Sequence, residues 1–593
     1  VTVTVHLQGA KERNAMTDEA RRPSVCLTMI VRDEAHIVAE VLDATAPYID
    51  YWVVVDTGST DGTQDLIAGH MQRLGIPGEL HQRPWQDFGH NRSEALTLAQ
   101  GKADYIWMMD ADDTVIGVPP FRGLTADCYA VLIREDPGNI FWRRQLFRDG
   151  VPWYYKGVLH EYAHCDEPFT DAHLSEDFQI HSRRLGARGK DPDKWAKDAA
   201  VLLTHVNAHP DDERSVFFLA QSYYHALDFE NGLTWYARRA EMGGWEEEVF
   251  YSLLQAGRCL AELGAPAAQV EDAYARAWAY LPTRAEPLYE LAYRLRISGR
   301  YDMGYLFARQ AAAVPVPVAN RMFVDTVVYT WRALDEQAVC ASWIGRQRES
   351  FVLFRRLLAI DGIEEHDRTR FAANRDLAVP QLLDDTATYP AELCNRPKGS
   401  PDAEVTFSLI AGPDRQQCER TLNSFLHCCN DIARVGRFLV LDTGLSEADR
   451  AHLADRYPFL EFLTGSADMT PNDQTDLLAK AITGRYWLHS NQGWQYFAAE
   501  PLITRLTAIL HAEPDISGVA INYLDATTLT GTAAPAHTTR TNPGTGRYML
   551  TDTGSQAMSR SPTMIDVNRF RARSDDTRLA GATLDEVLCI KVS

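Results

Sequence analysis

Short apolar runs alternate with amphipathic stretches from residue 25 onward. Residues 25–31 (VCLTMIV) predict a strand, the apolar positions Ile37, Val38, Val41 and Leu42 a helix, and Trp52 to Val55 a second strand. A helix follows over 61–74, a short strand over 79–81, a helix over 91–99 and a strand over 105–109. Such a βα series implies a parallel sheet with helices on both faces, and ligand sites in these sheets lie at the carboxyl ends of the strands. Residues 127–133 and 140–148 read as further strands, which lead to WYYKGVLHEY at 153–162 and FQIHS at 178–182.

The period then changes. Residues 186–193 are rich in Gly, Lys and Asp, and beyond them Ala220, Ala256 and Ala292 recur 36 residues apart inside helical patterns. A second helix follows each, and a further pair is expected over 323–358. Helix pairs at this period, with small residues where helices cross, resemble tetratricopeptide repeats with short insertions. Such arrays commonly bind peptides or dimerise, so a protein partner or a homodimer through the repeats is expected.

Pro, Asp and Thr accumulate over 378–403, which reads as a linker. Beyond it the chain echoes its start: VTFSLI at 405–410, RFLVLDTG at 437–444, NDQTDLLAKA at 472–481 and GRYWLHSNQG at 484–493. The expected division is a disordered or extended leader over 1–23, an α/β domain over 24–185, all-α repeats over 186–376, a linker over 377–403 and a second α/β domain over 404–593.

Composition narrows the function classes. The chain has 593 residues, 45% hydrophobic and 24% charged, as in ordinary globular proteins, and length alone predicts about three to five domains. A formal charge of −22 disfavours nucleic acid, because a surface that neutralises phosphates needs clustered Lys and Arg. A local pocket can still hold one diphosphate, with Arg92, Arg143, Arg144 and Arg148 as candidates. Ten cysteines without C-x-x-C spacing predict free thiols in a reducing compartment. No apolar run reaches the roughly 20 residues of a membrane span, and the first 20 lack a signal-peptide core, so a cytoplasmic location is expected.

The candidate chemistry sits where strands stop. The strand at 105–109 ends in Asp110, Asp112 and Asp113, and the strand at 52–55 ends in Asp56, followed by a turn that Gly58 and Gly62 allow and a helix that Thr60 or Asp61 can cap. Asp110 and Asp112, two apart, can offer oxygens to one hard cation that a nucleotide diphosphate would bridge. Together with TMIVRDEA at 28–35 and FGHNRSEAL at 88–96, these segments resemble a family-2 glycosyltransferase of the GT-A fold over residues 24–184, with Asp110-Ala111-Asp112 as the D-x-D.

The resemblance implies transfer of a sugar from a nucleotide-diphosphate donor, a UDP-sugar foremost, with Mn²⁺ or Mg²⁺ at Asp110 and Asp112. It implies donor contacts from Asp56 and the neighbouring Glu34, with Arg92 bordering the crevice, where the bland alternative is an ion pair to Asp87 or Glu94. Glu161 is the expected general base, Asp113 the reserve, and His181 a further metal ligand or a packed histidine. The acceptor is open: a peptide or protein, a glycan, or another small molecule. In the C-terminal copy the D-x-D has become Asn491-Gln492-Gly493, which removes the charges a cation needs. Two other readings compete: an adaptor whose repeats bind a partner while both flanking domains are inert, and a haloacid dehalogenase-like phosphatase. The latter needs a downstream Gly-Asp acidic motif, and none is present beyond the strand.

Overall fold

The computed structural model describes residues 2–5, 22–135, 139–183, 185, 192–319, 322–394, 403–522, 540–542, 545–551, 562–572, 581–584 and 587–592. Most of the junction at 186–193 lies outside them. The chain forms two compact units, Val1–Ser298 with Leu306–Ala333, and Gly299–Tyr305 with Leu334–Ser593.

In the first unit the strands are β1 (Thr2–Val5), β2 (Val25–Val31), β3 (Tyr51–Asp56), β4 (Gly78–Gln82), β5 (Tyr105–Met108), β6 (Asp113–Ile116), β7 (Cys128–Glu135), β8 (Asn139–Arg148), β9 (Tyr154–Lys156), β10 (Tyr162–His164), β11 (Asp171–His173) and β12 (Gln179–Ser182). One sheet runs β1-β4-β3-β2-β5-β8-β7-β12-β6, with β11 beside β7. Its β4-β3-β2-β5 segment is parallel, and β8 joins β5 antiparallel. Part of the expected leader is structured, since Thr2–Val5 pairs antiparallel with β4; residues 6–21 lie outside the described residues.

Helices α1 (Val38–Thr45), α2 (Thr63–Leu74) and α3 (Phe88–Ala99) cover both faces. Strand residues Leu27, Met29 and Val54 pack with Val41, Leu42, Ile67 and Met71 of α1 and α2, while Cys26, Val53 and Val55 pack with Ala95, Leu96 and Ala99 of α3. Because successive strand side chains point to opposite faces, a strand covered on both sides must be apolar throughout, which is the pattern that singled out these runs. Gly62 (φ +90°), rather than Thr60 or Asp61, is the cap residue of α2, although Asp61 Oδ1 accepts from the first-turn Thr63 amide at 3.0 Å.

The array consists of α4 (Lys194–Ala208), α5 (Glu213–His225), α6 (Phe229–Met242), α7 (Glu246–Glu262), α8 (Ala267–Tyr280), α9 (Glu286–Ile297) and α10 (Tyr301–Ala313). The helical pairs expected around Ala220, Ala256 and Ala292 are present, and α4 adds one that the spacing had not indicated. Ala220 and Ala292 are fully buried, but at the middle crossing the small residue is Gly257, where a Cβ would lie 2.7 Å from the Tyr274 ring.

The second unit contains α11 (Ala333–Trp343), α12 (Gln347–Leu358), α13 (Glu365–Asp376) and α14 (Val379–Thr386). The last of these corrects the linker reading: Val379 and Leu382, three apart on one helix face, are buried in the C-terminal core. Its sheet includes β13 (Val405–Ala411), β14 (Val435–Asp442), β15 (Leu460–Thr464) and β16 (Tyr486–Asn491) in the order β15-β14-β13-β16, all parallel. Details match the first sheet. Val25 pairs Tyr105 as Val405 pairs Tyr486, and Val31 pairs Asp56 as Ala411 pairs Asp442. Thr57 and Thr443 each donate a backbone N–H at 2.9 Å to the carbonyl ending the neighbouring strand, Val31 or Ala411. All ten cysteines are buried free thiols, and no helix among the described residues is long and apolar enough to cross a membrane.

Candidate active site

The three parallel strands β2, β3 and β5 end side by side, and the chain places an acid at or just beyond each end. Asp56 closes β3 and is fully buried. Its Oδ1 accepts from the amides of Gly58 and Ser59 at 3.0 Å each and from Gln64 Nε2 at 2.7 Å, while Oδ2 is buried without a hydrogen-bond partner. Beyond β2, Asp33 takes a left-handed φ of +56° and its Oδ1 accepts from the Thr60 amide at 2.8 Å, fastening this loop to the one after β3. Glu34 is half-buried there, with its amide donating to Thr63 Oγ1 at 2.9 Å.

Beyond β5, Asp110 is gripped by two guanidiniums: Arg92 Nη2 meets Oδ1, and Arg143 Nη1 meets Oδ2 at 3.2 Å. Burial opposes ionisation, but these cations outweigh it and hold the Asp110 carboxyl down to about 2. Asp113 has the opposite fate. It is wholly enclosed, Oδ2 accepts from the Asp110 amide at 3.3 Å and from Arg143 Nη2 at 3.1 Å, and Oδ1 has no partner. Burial, then the Asp110 charge, push its carboxyl up to about 7. Enclosure keeps it from an acceptor, so its influence on the site is electrostatic.

The segment 88–96 owes its residue types to this corner. A Cβ on Gly89 would lie 2.4 Å from the Gly157 carbonyl oxygen, so only glycine lets α3 approach the β9–β10 hairpin. Ser93 Oγ accepts from the Tyr155 amide at 2.8 Å, and Asn91, fully buried, accepts from the Gln86 amide at 3.0 Å. Arg92 then reaches both Asp110 and Glu161, with Nε 2.5 Å from Glu161 Oε1. The alternative pairing of Arg92 is not the one formed: Asp87 caps α3 through the His90 amide at 2.8 Å, and Glu94 pairs with Arg83 at 2.6 Å.

Of the four arginines suggested for a diphosphate, Arg92 and Arg143 stand at the acidic end, whereas Arg144 pairs with Asp171 and Arg148 lies 3.4 Å from Asp127. A bulge sets this pattern, since Leu146 faces Tyr129 and Arg144 faces Ala130, leaving Gln145 as the extra residue in β8. Asp112 is half-buried on the turn before β6, and its carbonyl accepts from Arg183 Nε at 3.0 Å. His181 on β12 lies opposite Thr114, two residues beyond Asp112. Among the described residues no three His, Cys, Asp or Glu side chains gather closely enough to hold a metal ion unaided.

Arg92, Arg143, Tyr155 and Glu161 line a cavity of about 560 Å³ whose other wall includes Arg214 and Phe218 of α5 and Trp245, which precedes α7. Arg92, Arg143 and Glu161 at this cavity were singled out in the sequence, whereas Tyr155 and Arg214, and Asp33 beyond β2, were not. The corresponding corner of the second unit differs. Asp442 again accepts from two loop amides, of Gly444 at 3.1 Å and Leu445 at 2.9 Å, but Arg450 Nη1 lies 3.9 Å from its Oδ2. Gln492 accepts from the Gly412 amide at 2.7 Å and donates to Gln417 at 2.9 Å, and the Val592 amide donates to the Gly493 carbonyl at 2.8 Å.

Comparison with known proteins agrees with this architecture. The family model described as Glycosyl transferase family 2 matches residues 26–117. A TPR repeat-containing protein of Synechococcus elongatus is 35% identical over 97 residues, 16% of this chain and 22% of that protein. The chain thus spans about a fifth of the length of that curated relative. Among solved structures, a thermophilic TPR protein of Thermus thermophilus is 14% identical, with 30% of this chain and 90% of that one covered and a TM-score of 0.23. Yeast Tom70 is 12% identical, with coverages of 33% and 39% and a TM-score of 0.25. The N-terminal sheet therefore carries a family-2 glycosyl transferase domain, followed by TPR-like helical repeats.

Proposed function

We propose, from the family-2 glycosyl transferase domain matched at residues 26–117, that the first unit is a divalent-cation-dependent, inverting glycosyltransferase acting on a nucleotide-diphosphate sugar, a UDP-sugar foremost. The observation that carries this reading is the pairing of an unpartnered buried acceptor, Asp56 Oδ2 at the end of β3, with Asp110 beyond the end of β5, one strand further along the sheet and held between Arg92 and Arg143. A base N–H of the donor fits the free oxygen of Asp56 once donor binding uncovers that buried atom, with Glu34 alongside, and Arg92 and Arg143 bring positive charge to where the diphosphate would lie.

The carboxylates of Asp110 and Asp112 suit Mg²⁺ or Mn²⁺, which take one or two carboxylates together with phosphate oxygens; His181 is a further candidate ligand on the adjoining strand. Such an ion would supply Lewis-acid stabilisation of the leaving diphosphate. Glu161 faces the cavity and would take the proton from an acceptor hydroxyl, thiol or amide. In the free chain Arg92 is shared between Asp110 and Glu161. A donor diphosphate that draws Arg92 away leaves the Glu161 carboxylate freer to act as a base.

We read the second unit as a non-catalytic relative of the first sheet, because amides replace its acids and Gln492 is bonded internally. Its value is then in binding or scaffolding. Buried free thiols suit a reducing compartment, and we place the protein in the cytoplasm on that ground. The test is hydrolysis of UDP- and GDP-sugars with Mn²⁺, followed by an acceptor search by mass shift. The match to a TPR protein favours a second reading, an adaptor with inert flanking domains. That reading gains if no uridine or guanosine diphosphate shifts the melting temperature in the presence of Mn²⁺.

A further inference from the structure

The β9–β10 hairpin carries Glu161 on a tip that the helical array holds. Leu159 is buried in the same apolar cluster as Val216, Phe217 and Phe218 of α5, with Val158 packed against it. The His160 ring stacks on Phe218 at 3.9 Å with the planes 8° apart. Arg214 Nε donates to the His160 carbonyl at 3.1 Å, and its guanidinium lies 5.0 Å from the Tyr162 ring centre and 4.9 Å from that of Phe218. Arg214 Nη1 is in turn 3.6 Å from Glu248 on α7.

This grip coincides with backbone strain. His160 has a φ of +51°, the left-handed region that a residue with a Cβ rarely adopts and that persists only where the surroundings over-determine it. The sheet side accounts for part of the fixing, through the close approach of Gly89 to Gly157 and the bond from Tyr155 to Ser93. The left-handed residue itself is held from α5, on ring and carbonyl alike.

We propose that Arg214 and Phe218 are positioning residues for transfer: from the helical array they hold the 157–162 hairpin so that Glu161 meets Arg92 and faces the cavity. The helices are then part of the catalytic apparatus. The proposal rests on the glycosyltransferase reading for the role of Glu161, but the clamp is separable from it.

The test uses the full chain with MnCl2 and, as probes, UDP-glucose, UDP-N-acetylglucosamine and GDP-mannose, following release of UDP or GDP. A displacement of about 1 Å costs on the order of 100-fold in rate, so Arg214→Ala should lower kcat about 100-fold and Phe218→Leu about 10-fold. Donor KM should stay unchanged, because Asp56 and Asp110 are untouched. Amide hydrogen exchange over residues 157–162 should rise in both variants while exchange in β2 and β3 stays as in the wild type. Exchange needs no turnover, so it decides the matter even in a chain that hydrolyses none of the three donors. Wild-type exchange over 157–162 in both variants overturns the clamp, as does wild-type kcat in both alongside an inactive Glu161→Gln. Wild-type kcat in Glu161→Gln instead overturns the assignment of the base, and the role of the clamp in transfer falls with it.

Discussion

Replacing Asp113 by asparagine isolates the electrostatics behind β5. Burial and the Asp110 charge raise this carboxyl from 3.8 to about 7, only partly offset by Arg143. Between those values the folded chain binds more protons than the unfolded one, so stability from this group is fully present at low pH and is lost as pH rises from about 4 to about 7. At about 1.4 kcal/mol per pH unit the interval sets a ceiling of about 4 kcal/mol. Asp110 runs the other way: its depressed value of about 2 adds stability above 3.8 that is lost as pH falls toward 2.

Asparagine keeps the shape, and its amide oxygen keeps the bonds from Arg143 Nη2 at 3.1 Å and from the Asp110 amide at 3.3 Å. The substitution therefore removes the cost of a buried negative charge at high pH. The melting temperature of Asp113→Asn minus that of the wild type should climb between pH 4.5 and pH 8, at about 2–4 °C per kcal/mol for a domain of this size. Calorimetry at pH 4.5, 6 and 8 reads this directly. A difference that is flat across the range, or that falls, refutes the reasoning.

Asp110→Ala should abolish donor hydrolysis and Asn491→Ala should leave it within about two-fold, as read by release of UDP or GDP; the reverse would move the working site to the second unit. Asp56→Asn can keep the three bonds at Oδ1 but presents an N–H at the free position, so calorimetric titration with UDP should show affinity reduced about 10- to 100-fold, and an unchanged Kd would remove Asp56 from base recognition. Gly78→Ala should destabilise the first unit by about 1–3 kcal/mol, because the added Cβ would lie 2.3 Å from the Trp52 ring; urea denaturation showing no loss would contradict that packing.

The parts of the fold legible in the sequence are those whose code is local. Three short apolar runs, long enough for one strand each and apolar on both faces, read as the strands β2, β3 and β5, and Asp56 and Asp110 lie at the ends of two of them because a polar residue there stops the apolar run. FGHNRSEAL was informative because each of Gly89, Asn91, Arg92 and Ser93 meets a specific partner in space. The linker expected over 378–403 is in part the helix α14: Pro380, one of the residues behind that expectation, occupies the first turn, where its missing N–H costs nothing. The hold of Arg214 on the hairpin was not legible, since the two lie 54 residues apart and are joined only by tertiary packing. The same is true of the second sheet: its amides were visible at 491–492, but not the bonds that tie Gln492 to Gly412 and Gln417.

Titration of UDP, and in parallel GDP, into the full chain with and without MnCl2 tests the central claim most directly, since it asks whether the acidic strand ends of the first sheet bind a nucleoside diphosphate through a divalent cation. The account predicts binding that requires Mn²⁺, is lost in Asp112→Asn and Asp110→Asn, and survives Asn491→Ala. Binding indifferent to Mn²⁺ and to both aspartates, or binding lost only on substitution of Asn491, would contradict it.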